Sequence, residues 1–260
     1  MFMKKIFIIF VILLSFAFPV NAAQLLPEVL VKNTTTISAQ RTGEKGKTYF
    51  YCSSGAKCST EQVVREYYKN SGYKVMRAEY SFWEALFVLT FLDEFYPHTL
   101  HKNSKLYYDI SDMAINYDDE EKIEAKCNLI KKTDLHKFIN SQLQKHEQGA
   151  YIRWLDEWEI DGFKNPVEYF KSEIVQEFLT KIDNETFYKV IKHILQTNGR
   201  YPKGVPDYIV WNEKTMIFVE VKRKNEKLSP QQIEWGEYLI KTKIPYKIVR
   251  VVGYVYNPAY

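Results

Sequence analysis

Two acidic residues and one lysine in the C-terminal quarter of the 260-residue chain have the types and spacing of a hydrolytic metal site. Asp207 follows Gly204-Val205-Pro206, and Glu220 and Lys222 lie in a later run of β-branched and aromatic residues. Side chains alternate along a strand, so Glu220 and Lys222 share one face. A hairpin between strands at 208–211 and 215–222 would bring Asp207, at the start of the first strand, beside Glu220.

Two carboxylates that meet in this way form a site for a hard divalent cation such as Mg²⁺ or Mn²⁺. Lys222 beside them can hold a water molecule or a phosphate oxygen. Such a set suits metal-assisted hydrolysis of phosphodiesters, because the cation neutralises charge at phosphorus and lowers the pKa of the attacking water. A surface hairpin with ordinary charges is the alternative, since a Pro-Asp followed by Glu-x-Lys is a loose pattern.

Elements on both sides of this segment are predicted from capping signals and hydrophobic periodicity. Upstream, we predict a helix at 59–72 with a Ser59–Gln62 capping box, an extended stretch at 73–79 and a mostly apolar, buried helix at 81–95 with a Ser81–Glu84 capping box. Further helices are predicted at 165–178 and 184–196. Downstream of Gly199 the pattern predicts, in order, strands at 208–211 and 215–222, a helix from Ser229 to about Lys241 and a strand at 246–252.

Composition and charge limit the class of protein. With 46% hydrophobic and 26% charged residues, the chain is not disordered, collagen-like or coiled-coil. No apolar run is long enough for a polytopic membrane protein. Residues 196–260 hold 11 bases and 6 acids, whereas residues 23–195 hold 23 bases and 26 acids. The C-terminal part is therefore the better candidate for contact with a phosphate backbone. The acidic run Asp118 to Glu121 is interpreted as a solvated first turn of a helix rather than a metal site.

The N-terminus has the pattern of a secretory signal peptide at 1–22. Lys4 and Lys5 precede an apolar stretch at 6–18, and small residues precede a cleavage site before Ala23. A buried helix or a short anchor is the alternative. We expect export to the periplasm or the medium and no membrane association after the signal is removed. Residues 23–57 look like an arm or linker.

Three cysteines follow the signal segment. In an oxidising compartment Cys52 and Cys58 could close a small loop and leave Cys127 unpaired. Three free thiols are an equal alternative. No second cysteine pair or histidine pair has zinc-ligand spacing, so a zinc site is not expected.

Four stretches together resemble the VRR-NUC branch of the PD-(D/E)XK nuclease superfamily, and within it the catalytic domain of Fanconi-associated nuclease. Three lie in the C-terminal part, and the fourth resembles the family's Glu-bearing segment before a buried helix. The resemblance extends over about 58–254. The stretches are Gly204-Val205-Pro206-Asp207-Tyr208-Ile209-Val210-Trp211, Val219-Glu220-Val221-Lys222, Leu228-Ser229-Pro230-Gln231-Gln232 and Glu79-Tyr80-Ser81-Phe82-Trp83-Glu84-Ala85-Leu86-Phe87.

The resemblance implies a role for each matching position. Asp207, Glu220 and the main-chain carbonyl of Val221 would bind the metal, with Glu79 as a further acidic ligand. Lys222 would be the catalytic lysine, and Gln232 would line the site. Glu84 is a rival to Glu79, but its place in a capping box explains it without a metal. Phosphate contacts are expected from a basic stretch that could equally be a solvated loop: Arg223, Lys224 and Lys227.

The fold implied by the resemblance is α/β: a restriction-endonuclease-like small mixed sheet flanked by helices, with a helical part at 58–198 that contributes Glu79 and a catalytic core at 199–254. The implied function is a Mg²⁺- or Mn²⁺-dependent nuclease of DNA, with RNA left open, that acts as a monomer on 5′-flap or other structures by endo- or exonucleolytic cutting. Alternatives are an exported degradative or toxin nuclease, with an inhibitor as a further partner, a catalytically silent DNA-binding module, and an envelope protein with no nucleic-acid role.

Overall fold

The computed structural model of the chain describes residues 26–42, 49–95, 120–148, 159–197 and 203–254. The predicted signal peptide at 1–22 lies outside the described residues, as do Asp118 and Asp119 of the acidic run. Within the described part, no helix has the length and apolar character needed to cross a bilayer.

A five-stranded mixed sheet forms the centre of the fold, with the strand order β1-β7-β6-β5-β4. The three strands β1, β7 and β6 are parallel, whereas β5 is antiparallel to both β6 and β4. A separate two-stranded hairpin consists of β2 and β3. The strands are β1 (Thr34–Gln40), β2 (Phe50–Tyr51), β3 (Lys57–Cys58), β4 (Lys74–Arg77), β5 (Tyr208–Trp211), β6 (Met216–Arg223) and β7 (Tyr246–Tyr254).

Helices cover both faces of this sheet, which confirms the predicted α/β class. Those in the described residues are α1 (Glu28–Lys32), α2 (Thr60–Asn70), α3 (Tyr80–Thr90), α4 (Leu92–Phe95), α5 (Glu120–Ile130), α6 (Leu135–Glu147), α7 (Pro166–Phe170), α8 (Glu173–Lys181), α9 (Asn184–Thr197) and α10 (Pro230–Lys241). Helix α10 connects the parallel strands β6 and β7, as such a crossover requires.

The two faces have different cores. Helix α2 packs Val64 and Tyr68 on one face, against valines of the central strands. The opposite face carries the larger core, in which Trp83 of α3 stacks on Phe218 of β6 with ring centroids 6.0 Å apart. Glu220 and Lys222 lie on the same face of β6 as Phe218, so the polar site begins where this aromatic core ends.

The expectation that residues 23–57 form an arm or linker is wrong for residues 26–42. They form α1 and the edge strand β1, which pairs with β7 from Thr34↔Ile248 to Gln40↔Tyr254. The stretch 34–40 is polar but rich in β-branched threonine, which suits a strand that is only partly buried. The sheet therefore draws strands from all three predicted segments at 23–57, 58–198 and 199–254.

Helix α2 confirms the predicted capping box, with Ser59 and Gln62 exchanging both hydrogen bonds. The predicted box at Ser81 and Glu84 is wrong. Glu79 has an extended backbone and is the N-cap of α3, so Ser81 and Glu84 both lie inside the helix. The predicted helix at 165–178 is two helices, α7 and α8, because Ser172 is an N-cap between them.

Cys52 and Cys58 form a disulfide that closes the β2–β3 hairpin, and Cys127 is a buried free thiol. Of the two alternatives left by the sequence, the structure has the disulfide. The hairpin packs against α2: Phe50 is buried beside Val64, and the main-chain N–H of Ser53 donates to Glu66 Oε2 at 2.9 Å. The disulfide-closed hairpin therefore directly precedes α2, whose first residues include Thr60 and Glu61.

Candidate active site

The hairpin of β5 and β6 brings Asp207 and Glu220 to the same corner, as their spacing predicted. Tyr208 pairs with Val219, and β5 begins there, so Asp207 lies just outside the pairing. The main-chain N–H of Val221 donates to Asp207 Oδ2 at 2.6 Å. The N–H and C=O of one strand residue point to the same edge. The carbonyl of Val221, the predicted main-chain ligand, is therefore directed to the side on which Asp207 lies.

Gly204 lets the segment before Asp207 pass the start of α10 at very close range. Its φ is +86°, and an added Cβ would lie 2.6 Å from the main-chain carbon of Gln231. No side chain fits there, and the left-handed backbone also favours glycine. The indole N–H of Trp235 donates to the carbonyl of Lys203 at 3.1 Å, which fixes the same contact. Asp207 and the first turn of α10 are thereby held in one corner.

Glu220 is the most buried acid of this corner, with 1% of its surface exposed. Its Oε1 accepts from Lys222 Nζ at 3.0 Å and from Gln232 Nε2 at 2.6 Å. Gln232 is itself fixed, since its Oε1 accepts from the main-chain N–H of Ser229 in the capping box of α10. The other oxygen of Glu220, Oε2, has no hydrogen-bond partner among the described residues. Gln232, predicted to line the site, thus lies in direct contact with Glu220.

The electrostatics of the corner disfavour two bare carboxylates. Burial, and then the negative charge of Glu79, raises the pKa of Asp207 to about 7. Burial, and then the charge of Asp207, raises the pKa of Glu220 well above its usual value. A buried carboxylate oxygen without a partner is costly unless something positive compensates it. The donor set consists of oxygens, the preferred ligands of Mg²⁺ and Mn²⁺, so the residues present fit a hard divalent cation.

Lys222 lies between two acids. Burial alone would lower its pKa, but the charges of Glu220 and Glu226 raise it overall. Its Nζ lies 3.0 Å from Glu220 Oε1 and 3.1 Å from Glu226 Oε1. Glu226 Oε2 also accepts from the main-chain N–H of Arg223. Glu226 was not predicted from the sequence. The signal that could have found it is an acid four residues after Lys222, within an otherwise basic stretch.

Glu79 lies at the edge of this site, beside Asp207. The main-chain N–H of Ala78 donates to the carbonyl of Asp207 at 2.9 Å, and the charge of Glu79 acts on the Asp207 carboxylate. The Glu79 carboxylate is paired with Arg77, whose Nη2 lies 2.7 Å from Oε1. A cavity of about 90 Å³ opens beside the pair; its lining is Arg77, Glu79, Ser81, Glu159, Ile160 and Asp161.

A second acid near Asp207 was also missed from the sequence. Glu61, in the first turn of α2, contributes to the raised pKa of Asp207. Its neighbour Thr60 accepts a hydrogen bond from Arg223 Nε at 3.3 Å, which connects α2 to the segment after β6. The basic residues Lys224 and Lys227 are exposed on that segment. Glu84, the rival to Glu79, is buried in α3, and the causes of its raised pKa include no charge of the site.

Comparison with known proteins identifies a domain in the C-terminal half of the chain. Residues 137–253 match the VRR-NUC domain. That match begins well before the catalytic core predicted at 199–254 and includes α6 to α9, but it does not include Glu79.

Curated relatives are Fanconi-associated nucleases. The Schizosaccharomyces pombe homolog is 23% identical over 74% of this chain and 27% of its own length. The Arabidopsis thaliana homolog is 22% identical over 79% of this chain, and the human protein is 23% identical over 88%. The chain spans about a quarter of the length of the curated relatives that it matches.

Solved structures agree on the fold. Crystal structures of paFAN1 bound to DNA with a gap and a 5′ flap of two nucleotides or one nucleotide both match with a TM-score of 0.58, at 16% and 17% identity. Each match covers 86% of this chain and 38% of the solved chain. The solved structures show the fold alone; the domain match and the curated relatives show that residues 137–253 contain a VRR-NUC domain and that the chain is homologous to Fanconi-associated nuclease 1.

Proposed function

We propose that this chain is a metal-dependent nuclease that hydrolyses DNA phosphodiester bonds, with Asp207, Glu220, the Val221 carbonyl and Glu79 as ligands of Mg²⁺ or Mn²⁺. One observation carries the proposal: the carboxylates of Asp207, which is partly buried, and Glu220, which is fully buried, share one corner, and Glu220 Oε2 has no partner among the described residues. Without a cation this pair is unfavourable, because burial disfavours both charges and the charge of Asp207 further raises the pKa of Glu220.

A bound Mg²⁺ or Mn²⁺ would stabilise the negative charge that develops on the phosphoryl oxygens and would acidify a water molecule. The protein groups orient this chemistry. Gln232 and Lys222 hold one oxygen of Glu220 and leave the other oxygen available. The main-chain N–H of Val221 holds one oxygen of Asp207 in the same way. Each carboxylate therefore has a fixed direction before any substrate arrives.

Lys222 is proposed as the catalytic lysine. Its ammonium group is charged at neutral pH, since the acids on either side raise its pKa. A charged amine beside the ligands can donate hydrogen bonds to a phosphate oxygen or to the attacking water. Glu226 accepts a second contact from Nζ besides that to Glu220, so the amine is oriented by both of its neighbours.

DNA is the proposed substrate for two reasons. The solved relatives were bound to DNA with 5′ flaps, and the segment after β6 exposes Lys224 and Lys227 close to the site. Basic side chains near the cleavage centre suit a phosphate backbone. We propose 5′-flap DNA as the preferred substrate and a monomer as the active form; cutting of RNA is the alternative to be tested in the same assay.

The test is cleavage of 5′-flap, single-stranded and plain duplex DNA, with a single-stranded RNA alongside, in Mn²⁺, in Mg²⁺ and in EDTA. The variant Asp207→Asn removes one proposed ligand with little change in volume. We expect metal-dependent cutting by the wild-type chain and none by Asp207→Asn. A manganese-binding isotherm on the same two proteins gives a readout independent of cutting.

The control is Glu213→Gln, which neutralises an acid in the turn of the same hairpin, where the Glu213 side chain is 89% exposed. It should cut like the wild-type chain. Absence of cutting by folded wild-type protein on every substrate, or full activity in EDTA, would overturn the proposal and favour a DNA-binding module without catalysis.

A second candidate is an exported degradative or toxin nuclease. The signal-peptide pattern at 1–22 and the Cys52–Cys58 disulfide favour it, because disulfides persist in oxidising compartments. This candidate predicts that duplex, single-stranded and flap DNA are cut at similar rates. A strong preference for flap DNA, or retention of the protein in the cytoplasm of its own cells, would contradict it.

A further inference from the structure

A short turn follows β6 and leads away from the catalytic lysine. The main-chain N–H of Glu226 donates to the carbonyl of Arg223 at 3.1 Å and closes this turn. The Glu226 side chain returns to Lys222 Nζ and to the N–H of Arg223. We call residues 223–226 the basic turn. Its conformation decides where the Glu226 carboxylate lies, and therefore where the lysine amine is held.

Arg250 on β7 holds the basic turn from the neighbouring strand. It pairs in parallel register with Lys222, so the two side chains leave the same face of the sheet. Its Nη1 contacts three main-chain carbonyls of the turn: those of Arg223 at 3.2 Å, Lys224 at 3.4 Å and Glu226 at 2.8 Å. One guanidinium nitrogen thus contacts three carbonyl groups of the turn, including the Arg223 carbonyl that closes it.

We propose that Arg250 is a positioning residue for Lys222 and acts through the basic turn and Glu226; this inference rests on the proposed nuclease function. Nη1 carries two N–H groups, so it can hold two of the three carbonyls at once, and two anchor points restrict the turn more than a single contact would. Loss of Arg250 leaves Lys222 and its two acids in place but frees the turn that orients one of them. The expected defect is therefore in turnover rather than in DNA binding.

If Arg250 instead contacted the DNA phosphate directly, its loss would be expected to weaken DNA binding rather than turnover. The guanidinium of Arg250 is directed to main-chain carbonyls, whereas Lys224 and Lys227 expose their side chains. If Arg250 bound phosphate instead, its removal would weaken DNA binding and lower the salt dependence of the binding constant. The two roles are separated by measuring kcat and KM for cleavage, and Kd for DNA with Ca²⁺ in place of the catalytic metal.

The experiment compares Arg250→Ala, Arg250→Lys and the control Lys247→Ala in the full chain. Lys247 carries the same charge on the same strand, and its side chain leaves the other face of the sheet. We expect Arg250→Ala to lower kcat by up to about tenfold, with KM and Kd changed less than about twofold. Arg250→Lys, which can still donate to carbonyls, should recover part of kcat. Lys247→Ala should keep kcat.

Amide hydrogen exchange of residues 223–227 gives a readout that does not depend on cleavage. Faster exchange in Arg250→Ala than in Lys247→Ala, with the rest of the sheet unchanged, is expected. An unchanged kcat, or equal losses of DNA affinity and activity, would overturn the positioning role. Failure of the wild-type chain to cut DNA would overturn the proposed function, and the exchange experiment would still decide whether Arg250 holds the turn.

Discussion

Two acids among the described residues are buried, Glu84 and Glu220, and they differ in what surrounds them. At the corner of β5 and β6, Glu220 accepts hydrogen bonds from Lys222 and Gln232, and the charge of Asp207 acts on it. In the middle of α3, Glu84 is 2% exposed and has a hydrogen bond with Tyr80 as its polar contact, while its Oε1 has no partner among the described residues. Burial raises the pKa of both acids.

The two acids show that burial of a carboxyl group alone is different from burial beside other polar groups that point to the same place. A raised pKa alone would nominate Glu84 and Glu220 equally as functional groups. Only Glu220 also has a second carboxylate, a lysine and an amide directed at the same point. Glu84 lies among apolar side chains of α3, and no charged group of the site contributes to its pKa. Its burial costs stability without forming a site, so neutralisation should abolish cleavage at Glu220 and leave cleavage unchanged at Glu84.

The largest effect is expected for Glu220→Gln. The substitution removes the more buried of the two carboxylates proposed to bind the cation, and the loss of several kcal/mol of charge stabilisation corresponds to about a thousand-fold lower rate. In EDTA the same variant should be at least as stable as the wild-type chain, because the neutral amide no longer resists burial. Cleavage rates in Mn²⁺ and thermal unfolding in EDTA measure the two effects on one protein preparation.

Glu213→Gln is the matched control, since it makes the same chemical change at an exposed position of the same hairpin. Near wild-type cutting by Glu220→Gln would remove this carboxylate from the metal site. A large loss of stability in EDTA would instead mean that Glu220 is a structural acid like any other buried ion-pair partner.

Glu84→Gln tests the other half of the comparison. Burial raises the pKa of Glu84 to about 7, against an unfolded value near 4.5. The folded state binds this proton more tightly, so the stabilisation is complete below the unfolded pKa and is lost as pH rises through 7. At pH 8 we expect Glu84→Gln to raise the free energy of unfolding by about 3 kcal/mol, and at pH 4 by little. Cleavage should be unchanged.

Denaturant unfolding at pH 4, 6 and 8 measures this, and Glu168→Gln on the exposed side of α7 supplies the control. A wild-type stability that does not fall between pH 5 and 8 would mean that Glu84 is ionised in the folded protein at no cost. A loss of cleavage in Glu84→Gln would return this residue to the list of ligands as a rival of Glu79.

Local signals predicted the corner of the site well. The Pro-Asp and Glu-x-Lys stretches lie where the hairpin and the two-residue period of a strand place them, and the Ser59 and Ser229 caps begin their helices as predicted. These features depend on residues close in sequence. The pairing of Asp207 with Val221 and of Glu220 with Gln232 follows once the hairpin and the cap are present.

Features that depend on distant pairing could not be predicted in the same way. Strand β1 has no strong alternation, and only its pairing with β7 makes it a strand. Glu84 has the spacing of a capping box with Ser81, and the true N-cap at Glu79 becomes visible only when β4 and Asp207 fix the chain before α3. Arg250 looks like one more base on a basic segment until the register places it opposite Lys222.

The smallest of these effects is expected at Glu226, which is exposed, unlike the two buried acids. Burial opposes its ionisation, but hydrogen bonds from Arg223 and Lys222 lower the pKa of Glu226 overall. Glu226→Ala should lower kcat about tenfold, the usual order for a residue that orients a catalytic group. Glu226→Gln keeps an acceptor for Lys222 and should lose less. Glu213→Ala is the control on the neighbouring turn.

Combining Glu226→Ala with Arg250→Ala makes this prediction sharper. Residues that act through one another give non-additive effects, whereas independent residues give effects that multiply. If Arg250 orients Lys222 through Glu226, the double variant should have nearly the same kcat as Glu226→Ala alone. A kcat lower by the product of both single effects would mean that the two residues act separately, with Glu226 orienting the lysine and Arg250 serving another part of the surface.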